Sequence, residues 1–224
     1  MHKLSLFLLL LGLHIIAYAE DTIEDGRFWL TFNHDYHIDD KWRLNMHLQP
    51  RWRHEGSEFD QIIYRPSAYY KVSSQLSLGI GYGYILTHLE SSGNTHEHRL
   101  WEDVIYQTQL TENIKFLSRS RLEQRHLEGH SDMAHRLRQT VRFAIPTSIV
   151  EGLSAIFYDE YFVNTNSASW GVNKGFDQNR AFIGVNYQFN QHANMDVGYL
   201  NQYVNRPNVD VENHVLAITV NTQF

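Results

Sequence analysis

Arginine and carboxylate side chains recur at every second position in several stretches of the sequence. Residues 119–125, RSRLEQR, and residues 136–142, RLRQTVR, are the clearest examples. Side chains two residues apart share one face of a β-strand, and a guanidinium binds a carboxylate through two parallel hydrogen bonds. The pattern therefore predicts charged strand faces that pair with their neighbours. We expect this network to contain Arg51, Arg53, Arg65, Arg99, Glu102, Arg119, Arg121, Glu123, Arg125, Arg136, Arg138, Arg142, Glu160 and Arg180, with Glu97, Asp177 and Asp196 as further acidic partners.

Three uses of such a network are open from the sequence. Paired charges can fill and close the interior of a barrel, line a small anion-preferring pore, or serve catalysis or binding. We expect the first use, because the interior of a barrel of about this size is normally filled by side chains.

Serine and histidine occur together on the stretch that carries Arg119 and Arg121. A lipase needs a nucleophilic Ser within hydrogen-bond reach of a base His. Ser118 and Ser120 fall on the face opposite the arginines, and His126 is six residues from Ser120, which is about 20 Å along an extended strand. The sequence also contains no GxSxG motif. We therefore expect a protein that is not an enzyme by default, with a lipid-modifying enzyme as the alternative.

Histidine is abundant, with 14 residues in the chain, and the most closely spaced strand pair is His96 and His98. Two histidines on one strand face could bind a transition metal or act as a protonation switch below about pH 6.5. The sequence fixes no third ligand, so we predict no metal and keep His96 and His98 as weak candidates. No glycine-rich phosphate loop or dinucleotide fingerprint occurs, and no cofactor is expected.

Long alternating strands are the elements that would position these side chains. In residues 42–53 apolar and polar side chains alternate throughout, and residues 75–86 repeat the pattern. Such strands are about twice as long as the 5 or 6 residues usual in soluble domains. Eleven segments of this kind are predicted, at residues 28–36, 42–53, 60–72, 75–86, 96–110, 114–127, 134–145, 153–163, 176–189, 193–204 and 211–224.

The connections between these segments alternate between short turns and longer polar loops, as in outer-membrane β-barrels. An arginine facing lipid at mid-membrane depth would cost about 2 to 4 kcal/mol, so the charged faces should point into the lumen. Single-chain bacterial barrels have even strand numbers. We therefore predict an all-β fold, an antiparallel up-and-down transmembrane β-barrel of 10 or 12 strands over residues 41–224. Residues 20–40 then form an N-terminal segment, either an extra strand or a plug.

Both ends of the sequence favour export to an outer membrane. Residues 1–19 have a basic start, an apolar run and a small-x-small end, which is the plan of a secretory signal peptide. In the last strand Leu216, Ile218, Val220 and Phe224 share one face. This stretch resembles the C-terminal insertion signal of outer-membrane barrels. We expect the bacterial outer membrane as the location, with outer-membrane lipid and the barrel-assembly machinery as partners.

Composition narrows the classes of partner. The formal net charge is −6 at pH 7 with His neutral, which does not favour a nucleic-acid partner. Cysteine is absent, so no disulfide can form. No motif identifies a small-molecule ligand, and a binding or adhesion barrel that uses loops at residues 88–95 and 164–175 is a further alternative.

Several short motifs together resemble a known family. They are KWRL at 41–44, GYGY at 81–84, EHRLWED at 97–103, RLEQR at 121–125, HRLR at 135–138, FDQNR at 176–180 and GYLNQY at 198–203. In order and spacing they resemble the bacterial family called domain of unknown function 2490, over essentially the whole chain after residue 19. The resemblance implies an outer-membrane-type β-barrel of Gram-negative bacteria and assigns no activity.

Overall fold

A computed structural model of the chain describes residues 22–89 and 93–224, so the predicted signal peptide lies outside the described residues. The described chain forms eleven strands. Among these residues no helix is long and apolar enough to cross a membrane. The strands are β1 (Ile23–His37), β2 (Trp42–Arg53), β3 (Glu58–Lys71), β4 (Leu76–Leu89), β5 (Gly93–Thr111), β6 (Ile114–Leu127), β7 (Met133–Pro146), β8 (Leu153–Asn164), β9 (Gly175–Asn190), β10 (Ala193–Val204) and β11 (Val211–Gln223).

All eleven strands belong to one closed barrel. Consecutive strands pair antiparallel, and β11 closes against β1 in parallel, with Phe28 opposite Leu216. The prediction of 10 or 12 strands is therefore wrong, as is the prediction of antiparallel pairing throughout. The physical reason lies in β1, which pairs with β11 on one side and β2 on the other. An odd number of up-and-down strands leaves the first and last running in the same direction, so their pairing must be parallel.

The strands are strongly tilted against the barrel axis. Each residue has a partner on the next strand, and these partners can be followed once around the barrel. A path that starts at Lys115, at the turn end of β6, passes through Gly184 and Trp29 and reaches Thr95 on β5. Thr95 lies beside the loop end of β6, so the path has moved from one end of β6 to the other. This stagger of about 14 residues over eleven strands corresponds to a tilt of about 40°. The tilt falls within the range of about 35 to 45° that transmembrane barrels show.

The two ends of the barrel differ in their connections. One end, the turn end, carries residues 38–41, 72–75, 112–113, 147–152 and 191–192; the other, the loop end, carries residues 54–57, 128–132, 165–174 and 205–210. The first turn is held by Asp39, whose Oδ1 accepts backbone N–H bonds from Lys41 (2.8 Å) and Trp42 (2.7 Å). These bonds lower the pKa of Asp39. Because β1 starts at the loop end and β11 finishes at the turn end, the two chain ends of the barrel lie at opposite rims.

Apolar side chains point outward and polar ones point inward along most strands. On β2, the outward-facing Leu44 and Leu48 are 43% and 38% exposed. The inward-facing Gln49 and Arg51, which lie nearer the loop end, are each 8% exposed. The alternation follows directly from the period-2 geometry of the strand. The residues predicted as an insertion signal lie on the outer face: Leu216, Ile218, Val220 and Phe224.

Glycines on the inner face make room for large aromatic rings. A Cβ at Gly81 would lie 2.2 Å from Cζ2 of Trp101, and a Cβ at Gly198 would lie 2.6 Å from Cζ of Phe182. Phe182 belongs to an apolar cluster that fills one side of the lumen, made of Trp29, Ala144, Ile156, Phe182, Leu200, Val215 and Ala217. On β7, β8 and β9 the charged side chains lie next to this cluster, on its loop-end side.

Candidate functional site

Buried carboxylates on β5, β6 and β8 bind most of the arginines that point into the lumen. Glu97 accepts two hydrogen bonds from Arg99 (2.7 and 2.9 Å) and two from Arg125 (2.6 and 3.2 Å). Asp103, on the same strand, accepts two from Arg121, both of 2.7 Å, and one from the Tyr69 hydroxyl at 3.1 Å. Glu97 therefore accepts four hydrogen bonds from arginines of β5 and β6, and Asp103 accepts three from side chains of β6 and β3.

Glu123 is almost completely enclosed, with 1% of its surface exposed. Its Oε2 accepts hydrogen bonds from Nε (2.9 Å) and Nη2 (2.6 Å) of Arg136, and its Oε1 accepts one from Nη1 of Arg138 (2.5 Å). Arg136 also donates to Asp177 at 2.8 Å. This group therefore links β6, β7 and β9 through the lumen.

Glu160 on β8 continues the network on the turn-end side of Glu123. Its Oε1 accepts hydrogen bonds from Arg138 (2.6 Å), Arg119 (2.9 Å) and the Thr140 hydroxyl (2.9 Å), and its Oε2 lies 3.5 Å from Nη1 of Arg180. Arg138 bridges two acids, Glu123 and Glu160. The Arg138 guanidinium thus connects the ion pairs around Glu123 to those around Glu160.

The strand register explains why these residues meet. Asp103 lies directly opposite Arg121 on β5 and β6, and Glu123 lies opposite Arg136 on β6 and β7. Glu160 lies opposite Arg180 on β8 and β9. Because directly opposed side chains project to the same face, alternation of charge along each strand becomes pairing of charge across strands.

Several guanidinium groups of the network also lie over the faces of aromatic rings. The Cζ atom of Arg121 lies 4.4 Å from the ring centroid of Trp101. Phe162, which is 0% exposed, has three guanidinium carbons within 5.0 Å of its centroid, those of Arg136, Arg138 and Arg180. A cation over an aromatic face is stabilised by the ring quadrupole, by about 2 kcal/mol where water is excluded. The alternation pattern places these rings inside, but only the three-dimensional structure pairs them with arginines.

Two arginines of the lumen are bound to neutral groups instead of carboxylates. Arg51 donates to the side-chain oxygens of Gln49 (2.9 Å) and Gln61 (3.1 Å) and lies 3.7 Å from the centroid of Trp29. Arg65 donates to Nε2 of His47 (2.6 Å) and to Gln49 (3.3 Å). Within the described residues neither forms an ion pair, and neither Nε atom has a hydrogen-bond partner. This part of the lumen carries excess positive charge.

All but one of the residues predicted for the charge network lie inside the barrel. The exception is Glu102, which is exposed on the outer face and accepts a hydrogen bond from Gln124 at 3.1 Å. On β5 the odd-numbered residues Glu97, Arg99 and Asp103 point inward. Glu102 is even-numbered, so its side chain points outward. The inward acid is Asp103, which strict alternation from Glu97 identifies. Further ion pairs at the loop end involve Asp25, Arg27, Glu58 and Asp60, which lie at the predicted strand boundaries or outside them.

The serines weighed for nucleophilic chemistry point outward and bind a glutamine. The hydroxyl of Ser120 donates to Oε1 of Gln139 at 2.6 Å, and Nε2 of Gln139 donates to Ser118 at 2.9 Å. A glutamine amide cannot accept a proton as a general base. This arrangement therefore gives no support to an enzyme built on these serines.

The histidines weighed as metal ligands form pairs with tyrosines on the outer wall near the loop end. Tyr84 contacts Nδ1 of His96 at 2.6 Å, and Tyr82 contacts Nδ1 of His98 at 2.6 Å. Nε2 of His98 lies 2.8 Å from Glu128, and this hydrogen bond lowers the pKa of Glu128. Across the described chain, no group of three or more histidine and acidic residues is arranged to hold a metal ion.

The same tyrosine–histidine arrangement recurs elsewhere on the outer wall. Tyr199 contacts Nδ1 of His214 at 2.6 Å, and Nε2 of His214 lies 3.7 Å from Glu24. A contact repeated on two separate pairs of strands at the same end of the barrel is typical of a structural element rather than of a single reactive site. Tyrosine and histidine both present an apolar ring with a polar tip.

The β8–β9 loop, residues 165–174, folds over the loop end of the lumen. The ring of Trp170 covers Arg125, with the guanidinium carbon 5.0 Å from its centroid. Asp132, in the neighbouring connection, accepts hydrogen bonds from the backbone N–H (2.5 Å) and hydroxyl (2.7 Å) of Ser169. These bonds lower the pKa of Asp132. The loop considered above for adhesion is thus tied to its neighbour and covers the charge network.

Comparison with known proteins identifies the family of this chain. The chain matches the model of a family described as "Protein of unknown function (DUF2490)" over residues 26–213. An uncharacterised protein from Methylorubrum extorquens is 31% identical over 223 residues, with 97% of each chain covered. The chain therefore belongs to the DUF2490 family, which confirms the resemblance seen in its motifs.

Proposed function

We propose that the protein is an outer-membrane β-barrel whose lumen is closed by the arginine–carboxylate network, so that it acts as a structural membrane barrel rather than an open pore. The observation that carries the proposal is the inverted distribution of side chains: ion pairs fill the interior and apolar residues cover the outside. For example, the side chains of Arg136 and Arg138 point into the lumen, and each is only 4% exposed.

Two belts of aromatic residues support the membrane location. Near the turn end, Trp42 packs against Tyr70 with ring centroids 5.0 Å apart, and Phe116 packs against Phe143 at 5.4 Å. Near the loop end, a second set of rings packs in the same way, made of Phe28, Trp52, Phe59, Tyr161, Phe176 and Tyr203. Aromatic belts at both interfaces flank the apolar band of outer-membrane barrels.

The exposed aliphatic residues between the belts need an apolar surrounding. Leu48, Ile80, Leu100, Ile183 and Leu216 are 38 to 60% exposed, and they lie on strands around the whole barrel. Leaving such a side chain in water forgoes up to about 1.5–3 kcal/mol of burial free energy. A lipid bilayer supplies that burial for these side chains.

The proposal of a closed lumen is supported by the number of strands that the ion pairs connect. Ion pairs centred on Asp103, Glu123 and Glu160 connect β5 to β9 through the interior. Trp170 covers the network at the loop end. An ion that crossed the lumen would have to separate several charge pairs, each of them removed from water.

Planar-bilayer recording tests the closed lumen. We expect the purified wild-type barrel to give no stable conductance steps at neutral pH. The double variant Glu123→Ala/Arg138→Ala removes a buried pair, while Arg136 keeps Asp177 and Glu160 keeps Arg119 as partners. It should conduct if it retains the heat-modifiable migration of a folded barrel. Regular open steps from the wild-type protein at low voltage would contradict the closed lumen.

One observation favours a second function, a narrow anion-preferring pore. Arg51 and Arg65 lack carboxylate partners among the described residues, and an uncompensated charge inside a protein costs several kcal/mol. A small anion beside them would offset that cost. If the barrel conducts, reversal potentials in a KCl gradient should show anion preference, and Arg51→Gln/Arg65→Gln should reduce it. Cation preference in the wild-type channel would remove this candidate.

A further inference from the structure

The exposure of inward-facing side chains shows where the lumen leaves room. On β6, the side chain of Arg119 is 27% exposed, whereas that of Arg121, two residues nearer the loop end, is 4% exposed. On β7, Arg142 is 30% exposed and Arg138, again nearer the loop end, is 4% exposed. Exposure therefore decreases from the turn end to the charge network, as in a blind space that opens at the turn end. We call this space the turn-end vestibule; its walls include Asn45, His47, Arg65, Arg119 and Arg142.

Two guanidinium groups meet at the closed end of the turn-end vestibule. Nη2 of Arg51 and Nη2 of Arg65 both donate to Oε1 of Gln49, at 2.9 and 3.3 Å. Arg51 is 8% exposed, whereas Arg65 is half-buried and points inward. Two cations thus converge on one neutral amide oxygen, and Arg65 is the one that reaches the open space.

The exposed guanidiniums of the vestibule keep N–H donors that no described residue accepts. A guanidinium has five N–H donors. Both hydrogen bonds of Arg65 use Nη2, and both of those that Arg119 donates, to Thr140 and Glu160, use Nη2 as well. Nε of each is enclosed and unpartnered, whereas Nη1 of each is open to the vestibule. An acceptor from outside the chain can therefore bind both Nη1 groups.

The carboxylates that act on Arg51 and Arg65 already bind other arginines. Asp60 accepts a hydrogen bond from Arg27 at 2.8 Å, and Glu123 is held by the two arginines of β7 described above. The charges that act most strongly on the His47 ring, on the vestibule wall, are those of arginines. A cleft lined by charges of one sign concentrates ions of the opposite sign.

We propose that the closed end of the turn-end vestibule binds a small divalent oxyanion of the class of inorganic phosphate. Arg51 and Arg65 lack carboxylate partners among the described residues, and one dianion balances their two charges. Nη1 of Arg65 and Nη1 of Arg119 donate from two walls, which suits an anion with several acceptor oxygens better than a halide. Arg51 contributes its charge from behind Gln49. The proposal extends the anion considered above for a pore from one that passes through to one that stays bound.

The vestibule limits the source of the anion. Its space is enclosed by the barrel wall, which favours a small soluble anion over a lipid headgroup. If the barrel lies in the outer membrane as proposed above, its short turns face the periplasm. The anion then enters from the periplasm without crossing the charge network.

Isothermal titration calorimetry of the purified full-length barrel with inorganic phosphate tests the site. At physiological salt and neutral pH we expect saturable binding of one phosphate per chain. Arg65→Gln should raise the Kd at least about tenfold, because charge-assisted hydrogen bonds are lost. The variant should still unfold cooperatively, since it removes a charge that lacks a carboxylate partner. Acetate, a monoanion, should bind the wild type at least about tenfold more weakly than phosphate.

Arg43→Gln is the matched control. It removes the same charge from another inward position, where Arg43 is paired with Asp35 at 2.6 Å. Arg43 lies opposite Tyr69, four residues from Arg65, which is about 13 Å along the strand. This distance exceeds the screening length of about 8 Å at physiological salt, so the Kd should change by less than about twofold.

Four results would overturn the site: no saturable binding by the wild type, unchanged affinity of Arg65→Gln, equal weakening by Arg43→Gln, or acetate binding as tight as phosphate binding. Failure of the site is distinguishable from failure of the proposed function. A membrane-bound barrel that is silent in planar bilayers and binds no phosphate refutes the site alone. A protein that is recovered in the soluble fraction and binds phosphate supports the site and refutes the membrane barrel.

Discussion

The substitution Glu123→Gln perturbs the charge network at the carboxylate that binds both Arg136 and Arg138. Glu123 is 1% exposed and accepts three hydrogen bonds, two from Arg136 and one from Arg138. Glutamine has nearly the same volume and retains one acceptor oxygen. It removes the negative charge, however, and turns an N–H₂ donor toward a guanidinium, which can accept no hydrogen bond.

The expected magnitude follows from the partners that remain. Removing one member of a buried ion pair costs about 3–5 kcal/mol, because it leaves an uncompensated charge. In this site Arg136 keeps Asp177 at 2.8 Å and Arg138 keeps Glu160 at 2.6 Å. Both arginines therefore remain partly compensated, and we expect a loss near the lower bound, about 3 kcal/mol. Reversible urea unfolding of the barrel in lipid vesicles, followed by tryptophan fluorescence, measures it.

Glu102→Gln is the matched control for this experiment. The chemical change is identical, but Glu102 lies on the outer face and is bound by a single amide, Gln124. We expect no loss greater than about 1 kcal/mol, the size of one exposed hydrogen bond, because removing this charge from the outer face leaves no unpaired cation behind. If Glu123→Gln costs no more than Glu102→Gln, the lumen network does not stabilise the barrel and the reasoning is refuted.

Three further substitutions test other parts of the structure. Gly81→Val should lower the unfolding free energy by about 1–3 kcal/mol through overpacking against Trp101; unchanged stability would show that the ring lies elsewhere. Phe224→Asp should reduce the fraction of newly made protein that reaches heat-modifiable form in a pulse–chase experiment, and normal assembly would exclude the insertion-signal interpretation. Asp132→Asn should expose the β8–β9 loop to limited proteolysis at neutral pH. The lowered pKa of Asp132 means that the wild-type loop stays protected down to pH values below the usual Asp pKa of about 4 and loses protection only on further acidification; equal cleavage of both proteins at pH 7 would contradict the tie to Ser169.

Local alternation accounts for the parts of the fold that the sequence predicts well. Residues 114–127 were predicted as a strand and are β6, and residues 42–53 are β2. Alternation also predicts eleven segments, and all eleven are strands of the barrel; the expected count of 10 or 12 came from the even strand numbers of bacterial barrels, which this barrel does not follow. β1 begins at Ile23, five residues before the predicted segment, and the alternation pattern does not show that β11 would pair with it in parallel.

The charged site shows the same division between local and long-range information. Alternation places Arg121, Glu123 and Arg136 on the inner face. It also places Glu102 on the outer face, and its assignment to the network came from grouping acids by proximity in sequence. The contact of three guanidiniums with Phe162 was not predictable, because they come from β7 and β9, and alternation within one strand does not fix the register between neighbouring strands.

The central claim is that the chain is a barrel embedded in an outer membrane. Expression of the full chain in a Gram-negative host, followed by membrane fractionation and gel migration with and without boiling, tests it most directly. We expect the protein in the outer-membrane fraction, resistant to alkaline extraction, with an unboiled band that migrates faster than the boiled one. Recovery in the soluble fraction, with a single band that boiling does not shift, would contradict the account.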